Sequence, residues 1–310
     1  MKKLSPGRTK VPTANGPGNR VLKALLFVNP KKKHARDLRD EVLGELASNG
    51  IRVDFYPFKA KPGFDTEAGY DVAICLGGDG TVLSAARAIS PLGVPVFPVN
   101  LGTFGFIAGV EPSEWKEIFN RWLKGKAAFS KRLMLEVSVE RRGEEVLKGR
   151  CLNDVVVSTP GIAKLINLKV YSSEAGRSGF VKLGSYRSDG LIASTPTGST
   201  AYSAAAGGPI VDPELEALIL SPICPFTLSN RSMVLPADET IMIEVGEEQQ
   251  SGALLTVDGQ VTEKLKVRDR VFLKKAPYPC LLIASGRRGF YESLRTKLNW
   301  SGGQEEESRP

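Results

Sequence analysis

Asp71-Val-Ala-Ile-Cys-Leu-Gly-Gly-Asp-Gly-Thr-Val-Leu-Ser-Ala-Ala-Arg-Ala-Ile89 is the stretch that decides the fold of this 310-residue chain. Asp71–Leu76 is an apolar run of strand length, and Val82–Ile89 carries apolar residues at helical spacing. Between them, Gly77-Gly-Asp-Gly-Thr81 reads as a tight loop, so the order is strand, loop, helix. Glycines let the backbone turn sharply and approach a ligand closely. Amides at the start of the following helix point at whatever anion the loop holds. Asp79, a carboxylate in that phosphate cradle, makes chemical sense as a proton acceptor or as a group beside a metal.

The flanking segments extend the pattern. Ala24–Val28 reads as a buried strand, followed by Asn29-Pro30, the basic run Lys31–His34 and a helix with Leu38, Val42, Leu43 and Leu46 on its apolar face. Ile51–Tyr56 and Val94–Val99 read as further strands, and a helix runs through Trp115, Ile118, Phe119 and Leu123. Strands alternating with helices predict a parallel α/β sheet. Ligands bind such sheets outside the carboxyl ends of the strands. There the loops Lys31–His34, Gly77–Thr81 and Asn100–Phe106 meet.

After Gly125 the texture changes to short runs rich in Val, Leu and Ile: Leu133–Glu140, Glu145–Leu152, Asp154–Thr159, Leu165–Tyr171, Leu191–Ser194, Met233–Leu235, Thr240–Val245, Ala253–Val257 and Val271–Leu273. These predict an all-β second domain. Thr200–Ala206 stands apart as a small-residue helix start. Leu281–Ala284 and Gly289–Leu298 read as a last strand and a terminal helix that pack back on the first domain. The expected organisation is a disordered basic tail over 1–22, the α/β domain over 23–127 and the β-rich domain over 128–280. A return segment over 281–300 and a frayed tail over 301–310 complete it.

Composition narrows the function. Hydrophobic residues make up 42% and charged residues 25%, as in ordinary globular proteins with a real core. No apolar stretch reaches the roughly 18–20 residues that span a bilayer. The first residues lack the apolar segment of a secretion signal, so the cytoplasm is the expected location. The net charge of +8 is concentrated in residues 1–23, which hold six basic residues and no acidic one. Without interleaved aromatics that leader reads as a solvated extension, and no nucleic-acid or membrane partner is expected. The four scattered cysteines, Cys75, Cys151, Cys224 and Cys280, read as small buried hydrophobes in a reducing compartment. His34 is the only histidine, which sets aside histidine triads and multi-histidine metal centres.

Two further segments carry chemistry. Asn153-Asp154 precedes the strand Val155–Val157 and reads either as a strand-capping pair or as a pair that bonds sugar hydroxyls. In Tyr186–Ser203 a strand breaks into Thr195-Pro-Thr-Gly198, whose hydroxyls and turn amides suit an anion or a ribose. Thr200-Ala-Tyr202 then offers small residues for close approach and one ring for stacking.

Taken in order, Gly77–Thr81, Asn153-Asp154, Asp189-Gly190, Thr195–Tyr202, Pro222-Ile-Cys-Pro225 and Asp258-Gly-Gln260 closely resemble the NAD kinase family over roughly residues 24–290. The Gly-Gly-Asp-Gly-Thr loop alone is shared with 6-phosphofructokinases and with diacylglycerol and sphingosine kinases; the Thr195–Tyr202 segment narrows the resemblance. It implies transfer of the ATP γ-phosphoryl group to the 2′-hydroxyl of the adenosine ribose of NAD, with Asp79 as the proton acceptor and a magnesium ion beside it. It also implies NAD contacts from Gly80, Phe106, Asn153, Asp154, Lys164, Arg187, Asp189, Thr200, Ala201, Tyr202, Ser203, Ala205 and Gln260. Gly77, Gly78, Gly80, Thr81 and Lys31 would hold the ATP phosphates, although Lys31–Lys33 also read as a solvated helix entrance. Homodimers or homotetramers are implied as well.

Three positions depart from the family pattern: Asp154 for a glutamate, Phe226 for a histidine and Ala205 for a serine. They bear on affinity and substrate preference and leave the base in place. Two other readings compete, a lipid kinase sharing the loop and a non-catalytic NAD or NADP sensor. No amphipathic membrane-facing stretch supports the first, and retention of Asp79 argues against the second.

Overall fold

A computed structural model describes residues 21–29, 35–56, 69–102, 105–161, 164–174, 179–227, 229–249, 252–283 and 287–298. Lys31 and most of the basic leader lie outside the described residues.

The first sheet starts with strands β1 (Lys23–Val28), β2 (Arg52–Phe55), β3 (Val72–Gly77) and β4 (Val96–Asn100), all parallel, ordered β2-β1-β3-β4. Strands β3 and β4 are buried along their whole length, as expected of parallel strands covered on both faces. Helix α1 (Ala35–Ser48) and helix α3 (Trp115–Leu123) cover one face, where Leu38, Val42, Trp115, Phe119 and Trp122 pack on Leu26, Ile74 and Phe97. Helix α2 (Asp79–Ile89) covers the other with Val82, Ala85, Ala86 and Ile89.

Strands β5 (Phe129–Arg132), β6 (Leu135–Arg141), β7 (Glu144–Cys151), β8 (Asp154–Ser158), β9 (Ile166–Ser173), β10 (Val181–Ser188) and β11 (Gly190–Ser194) follow. After a 3-10 turn (Thr197–Thr200) and the short helix α4 (Tyr202–Ala205) come β12 (Ala217–Ile223), β13 (Met233–Pro236), β14 (Thr240–Val245), β15 (Ala253–Val257), β16 (Val261–Leu265), β17 (Arg270–Lys275) and β18 (Cys280–Ile283). Two antiparallel sheets result, β10-β9-β14-β17-β6-β7 and β13-β12-β11-β8-β15-β16. Alternation along β6 and β9 sends Val137, Val139, Leu168 and Val170 inward to meet Val155, Val157, Leu191 and Leu255 of the other sheet.

Near the chain's end β18 enters the first sheet, parallel to β4 and antiparallel to β5, and helix α5 (Arg287–Leu298) follows. The α2 core also contains Met134, Leu152 and Ala276 from the antiparallel part, so α2 lies where the two parts join.

Four strands, β5, β10, β12 and β16, add to those read from the sequence. The Gly77–Thr81 loop is shorter than expected, because β3 runs to Gly77 and α2 begins at Asp79. None of its glycines has a positive φ. Gly77 is needed for close approach: a Cβ there would lie 2.2 Å from the Thr81 hydroxyl oxygen. Cys75, Cys151 and Cys280 are buried as expected, whereas Cys224 is exposed, with φ +43°, in the bend after β12.

Candidate active site

Asp79 occupies the first position of α2, with Gly78 as the N-cap residue. A carboxylate there is favoured by the partial positive charge of the helix start. Its side chain turns across to the segment after β4. Oδ2 accepts a hydrogen bond from the Phe106 amide at 2.9 Å, while Oδ1 accepts from Ile107 at 3.2 Å and Ala108 at 2.9 Å. The cradle around this carboxylate is thus built by residues 106–108, where the sequence pointed to its own glycine loop. Each carboxylate oxygen offers about two acceptor positions. Two amides fill Oδ1, and Oδ2 keeps one position for a further donor.

Space lies beside that group. Gly80 is exposed, and a Cβ at Gly78 would meet nothing within 4 Å. Thr81 is buried, its hydroxyl packed under Gly77, so it shapes the turn and presents no oxygen to the open side. Asn100 caps the neighbouring loop, its Oδ1 accepting from the Gly102 amide at 2.9 Å.

The second part of the site is an edge of the sheet containing β8, β11 and β15. Ser194 pairs with Asp154, the Thr195 amide donates to the Asn153 carbonyl at 2.8 Å, and the Asp258 amide donates to the Asp154 carbonyl at 2.9 Å. Three strand ends therefore bring Asn153, Asp154, the Thr195–Gly198 turn and Asp258 together. The Thr195 hydroxyl donates to the Leu152 carbonyl at 2.5 Å and accepts from the Gly198 amide at 3.1 Å. Gly198 has no room for a side chain, since a Cβ would lie 2.2 Å from the Asn153 carbonyl oxygen. Asn153 Oδ1 and Thr197 Oγ1 are buried without a hydrogen-bond partner among the described residues. Such groups are costly to leave unpaired, so a water or a bound molecule has acceptors to meet at this edge.

Asp154 and Asp258 are both buried. Burial, and then the neighbouring Asp258 carboxylate, push Asp154 up to about 7. Burial raises Asp258 too, opposed by the Arg87 guanidinium and the amides of Asn153 and Leu152.

The remaining sequence candidates are spread over several places. Gln260 bonds to α2, donating to the Gly80 carbonyl at 2.8 Å and accepting from the Ser84 hydroxyl at 2.8 Å. Tyr202 is 47% exposed, leaving its ring free to stack, whereas Ser203 is wholly buried with its hydroxyl on Ser221 at 3.0 Å. Thr200 bonds back to the Thr197 carbonyl; Ala201 is half-buried and Ala205 exposed on α4. Arg187 and Asp189 form a separate grouping at the β10–β11 turn. The Arg187 guanidinium sits 5.1 Å from the centre of the Phe226 ring and lines a cavity of about 320 Å³ with Asn167, Glu248 and Gln249. The Asp189 backbone is held by Ile223 and Thr159. Lys164 is exposed just before β9. Sequence reading missed Arg87 and the role of Asp258, whose partners lie far away along the chain.

Comparison with known proteins fits this geometry. The family model for the ATP-NAD kinase C-terminal domain matches residues 152–285, and that for the ATP-NAD kinase N-terminal domain matches residues 59–127. An NAD kinase of Treponema denticola is 42% identical over 283 residues, covering 90% of this chain and 97% of the relative. An NAD kinase of Geobacter sulfurreducens is 43% identical over 230 residues, covering 74% and 78%. Among solved structures, a yeast NADH kinase complexed with NADH superposes with a TM-score of 0.80 at 23% identity, covering 92% of this chain and 89% of its own. An Archaeoglobus fulgidus NAD kinase in complex with ATP gives 0.66 at 22% identity, covering 89% and 99%. These two share the fold.

Proposed function

This chain belongs to the ATP-NAD kinase family, and we propose that it moves the γ-phosphoryl group of ATP to the 2′-hydroxyl of the adenosine ribose of NAD, with Asp79 as the proton acceptor. The O2′–H bond breaks as an O2′–phosphorus bond forms. The bond from the γ-phosphorus to the bridging oxygen breaks, and its electron pair leaves with ADP. The 2′-proton goes to Asp79 Oδ2, the oxygen with an acceptor position to spare. A positioned base of this kind contributes about 10²–10⁴-fold.

Asn153 Oδ1 and the Asp154 carboxyl would take the ribose hydroxyls, and the unpaired Thr197 hydroxyl would add a further polar contact. The exposed Tyr202 ring, with Thr200 and Ala201 beside it, would carry the adenine or nicotinamide face. The free amides at the start of α2, next to Gly78 and Gly80, would receive the triphosphate. Lys31, outside the described residues, belongs to the same phosphate reading. Among the described residues no three His, Cys, Asp or Glu side chains form a metal cage. Magnesium usually arrives on phosphates and keeps several waters. Since the open position of Asp79 receives the 2′-proton, the phosphates would hold the ion beside Asp79 without a direct bond to it, and the bound ion would supply charge neutralisation. A homodimer or homotetramer in the cytoplasm completes the reading; light scattering on the purified protein checks the assembly.

The observation that carries this proposal is the Asp79 carboxylate, fixed by three amides yet open on one oxygen beside a helix start. A coupled assay of NADP formation tests it, run with ATP or polyphosphate as donor and NAD or NADH as acceptor. Wild type is expected to form NADP from ATP and NAD, and Asp79→Asn to lose it. A wild-type protein that binds NADP and forms none overturns the kinase reading in favour of a sensor.

A further inference from the structure

Helix α2 presents Gly80, Ser84 and Arg87 on one face, the i, i+4, i+7 positions that lie above one another. All three meet Gln260 at the tip of the β15–β16 hairpin: the Gly80 carbonyl and the Ser84 hydroxyl at 2.8 Å each, and an Arg87 guanidinium nitrogen through Oε1. The other end of the guanidinium donates to Asp258 Oδ2 at 2.7 Å. The Asp258 side chain is fully covered and the Arg87 side chain 17% exposed.

Asp258 does more than pair with Arg87. Its Oδ1 accepts from the Asn153 amide at 2.8 Å and the Asp154 amide at 3.3 Å, and its Oδ2 accepts from the Leu152 amide at 3.2 Å. One carboxylate thus fixes the backbone that carries Asn153 and Asp154, and one arginine ties that carboxylate to the helix whose first residue is Asp79. The path from base to ribose-holding segment passes through two side chains.

We infer that Arg87 and Asp258 form a clamp that sets the distance between Asp79 and the Asn153–Asp154 segment, which makes both positioning residues for phosphoryl transfer. The inference rests on the phosphoryl-transfer reading above. Its physical basis is that transfer needs the reacting atoms within about 3–3.5 Å, where a misplacement of about 1 Å costs about 10²-fold. An exposed ion pair could not hold such a tolerance against side-chain motion. A half-buried guanidinium forked between two acceptors of one hairpin turn can, because its planar fork admits few geometries and one of those acceptors, Asp258, is fully covered.

The test separates positioning from mere stability. NADP formation is measured at saturating ATP and NAD for wild type, Arg87→Met, Arg87→Lys and Gln260→Ala, alongside NAD dissociation constants and Tm. Arg87→Met is expected to lower kcat about 10–100-fold, with NAD affinity changed far less. Arg87→Lys, which reaches Asp258 as a point charge and cannot also engage Gln260, should recover Tm and only part of kcat. Gln260→Ala keeps the Arg87–Asp258 pair and should lower kcat a few-fold at nearly unchanged Tm. Should Arg87→Met fail to fold, these last two variants carry the test. The clamp is overturned if folded Arg87→Met, or Arg87→Lys together with Gln260→Ala, turns over within twofold of wild type. A wild type that forms no NADP instead overturns the kinase reading, and the clamp with it.

Discussion

Asp79 and Asp154 both stand at strand ends facing the same junction, yet their surroundings are opposite. Asp79 is half-buried at a helix start, with three backbone amides aimed at its oxygens. Asp154 is buried beside a second carboxylate, and that company together with burial raises it to about 7. The first environment fixes where a carboxylate points; the second makes its ionisation depend on pH and on what binds. In the reading proposed above, one residue type is an oriented base on the parallel sheet and a pH-sensitive holder on the antiparallel one.

Replacing each member in turn is the sharpest way to break that contrast. Asp79→Asn keeps the side-chain shape but removes the base and sets an NH2 group against at least one of the three backbone amides, and should lower kcat for NADP formation by about 10²–10⁴-fold. NAD binding measured by calorimetry should change little. Next in size is Gly198→Ala, which forces a Cβ against the Asn153 carbonyl carbon and oxygen, 2.6 and 2.2 Å away. Overpacking typically costs about 1–3 kcal/mol. The Asn153–Asp154 edge has to shift, so NAD affinity should fall more than tenfold and Tm should drop, while the Asp79 side of the junction is untouched.

The pH dependence sharpens the comparison further. Asp154 moves from an ordinary 3.8 when unfolded to about 7 when folded. Between those values the native state binds more protons than the unfolded chain, so this residue's contribution to stability falls as pH rises through that window. Asp154→Asn should flatten the slope and raise Tm relative to wild type at pH 8, with the two proteins close at pH 4. It should also weaken NAD binding. The smallest effect is expected at the β10–β11 turn. Phe226→Ala removes the ring over Arg187, and exposed contacts of that kind contribute about 0.5–1 kcal/mol. NAD affinity should fall about two- to fivefold by titration, with kcat unchanged.

Local patterns made much of this legible. Runs such as Asp71–Leu76 and Ala24–Val28 are long enough and apolar enough to announce buried parallel strands, and richness in Val, Leu and Ile did the same for the short strands read over Leu133–Glu140 and Leu165–Tyr171. The sheet edge that gathers the site followed from that order. Strand β12 escaped because Pro222 interrupts its apolar run, and a proline argues against an interior strand. Strand β10 escaped because Lys182, Gly184, Ser185 and Arg187 show no alternation; it forms by pairing with β9 through a register shift.

Within the candidate site, Asp79, Asn153 and the Thr195–Gly198 turn could be singled out from residue type and neighbours. The amides of Phe106, Ile107 and Ala108 that hold Asp79 were not, nor was the Arg87–Asp258 pair, since no local signal reports a partner so distant in sequence. Ser203 and Thr81 looked available as hydroxyls and are turned inward, a matter of packing that composition does not encode.

The most direct measurement is a crystal structure of the protein with NAD and a non-hydrolysable ATP analogue bound. The account predicts Asp79 Oδ2 within hydrogen-bond reach, about 2.6–3.2 Å, of the adenosine 2′-oxygen or joined to it by one water. An Asp79 carboxylate lying beyond about 6 Å from that oxygen, with nothing bridging the gap, would contradict it.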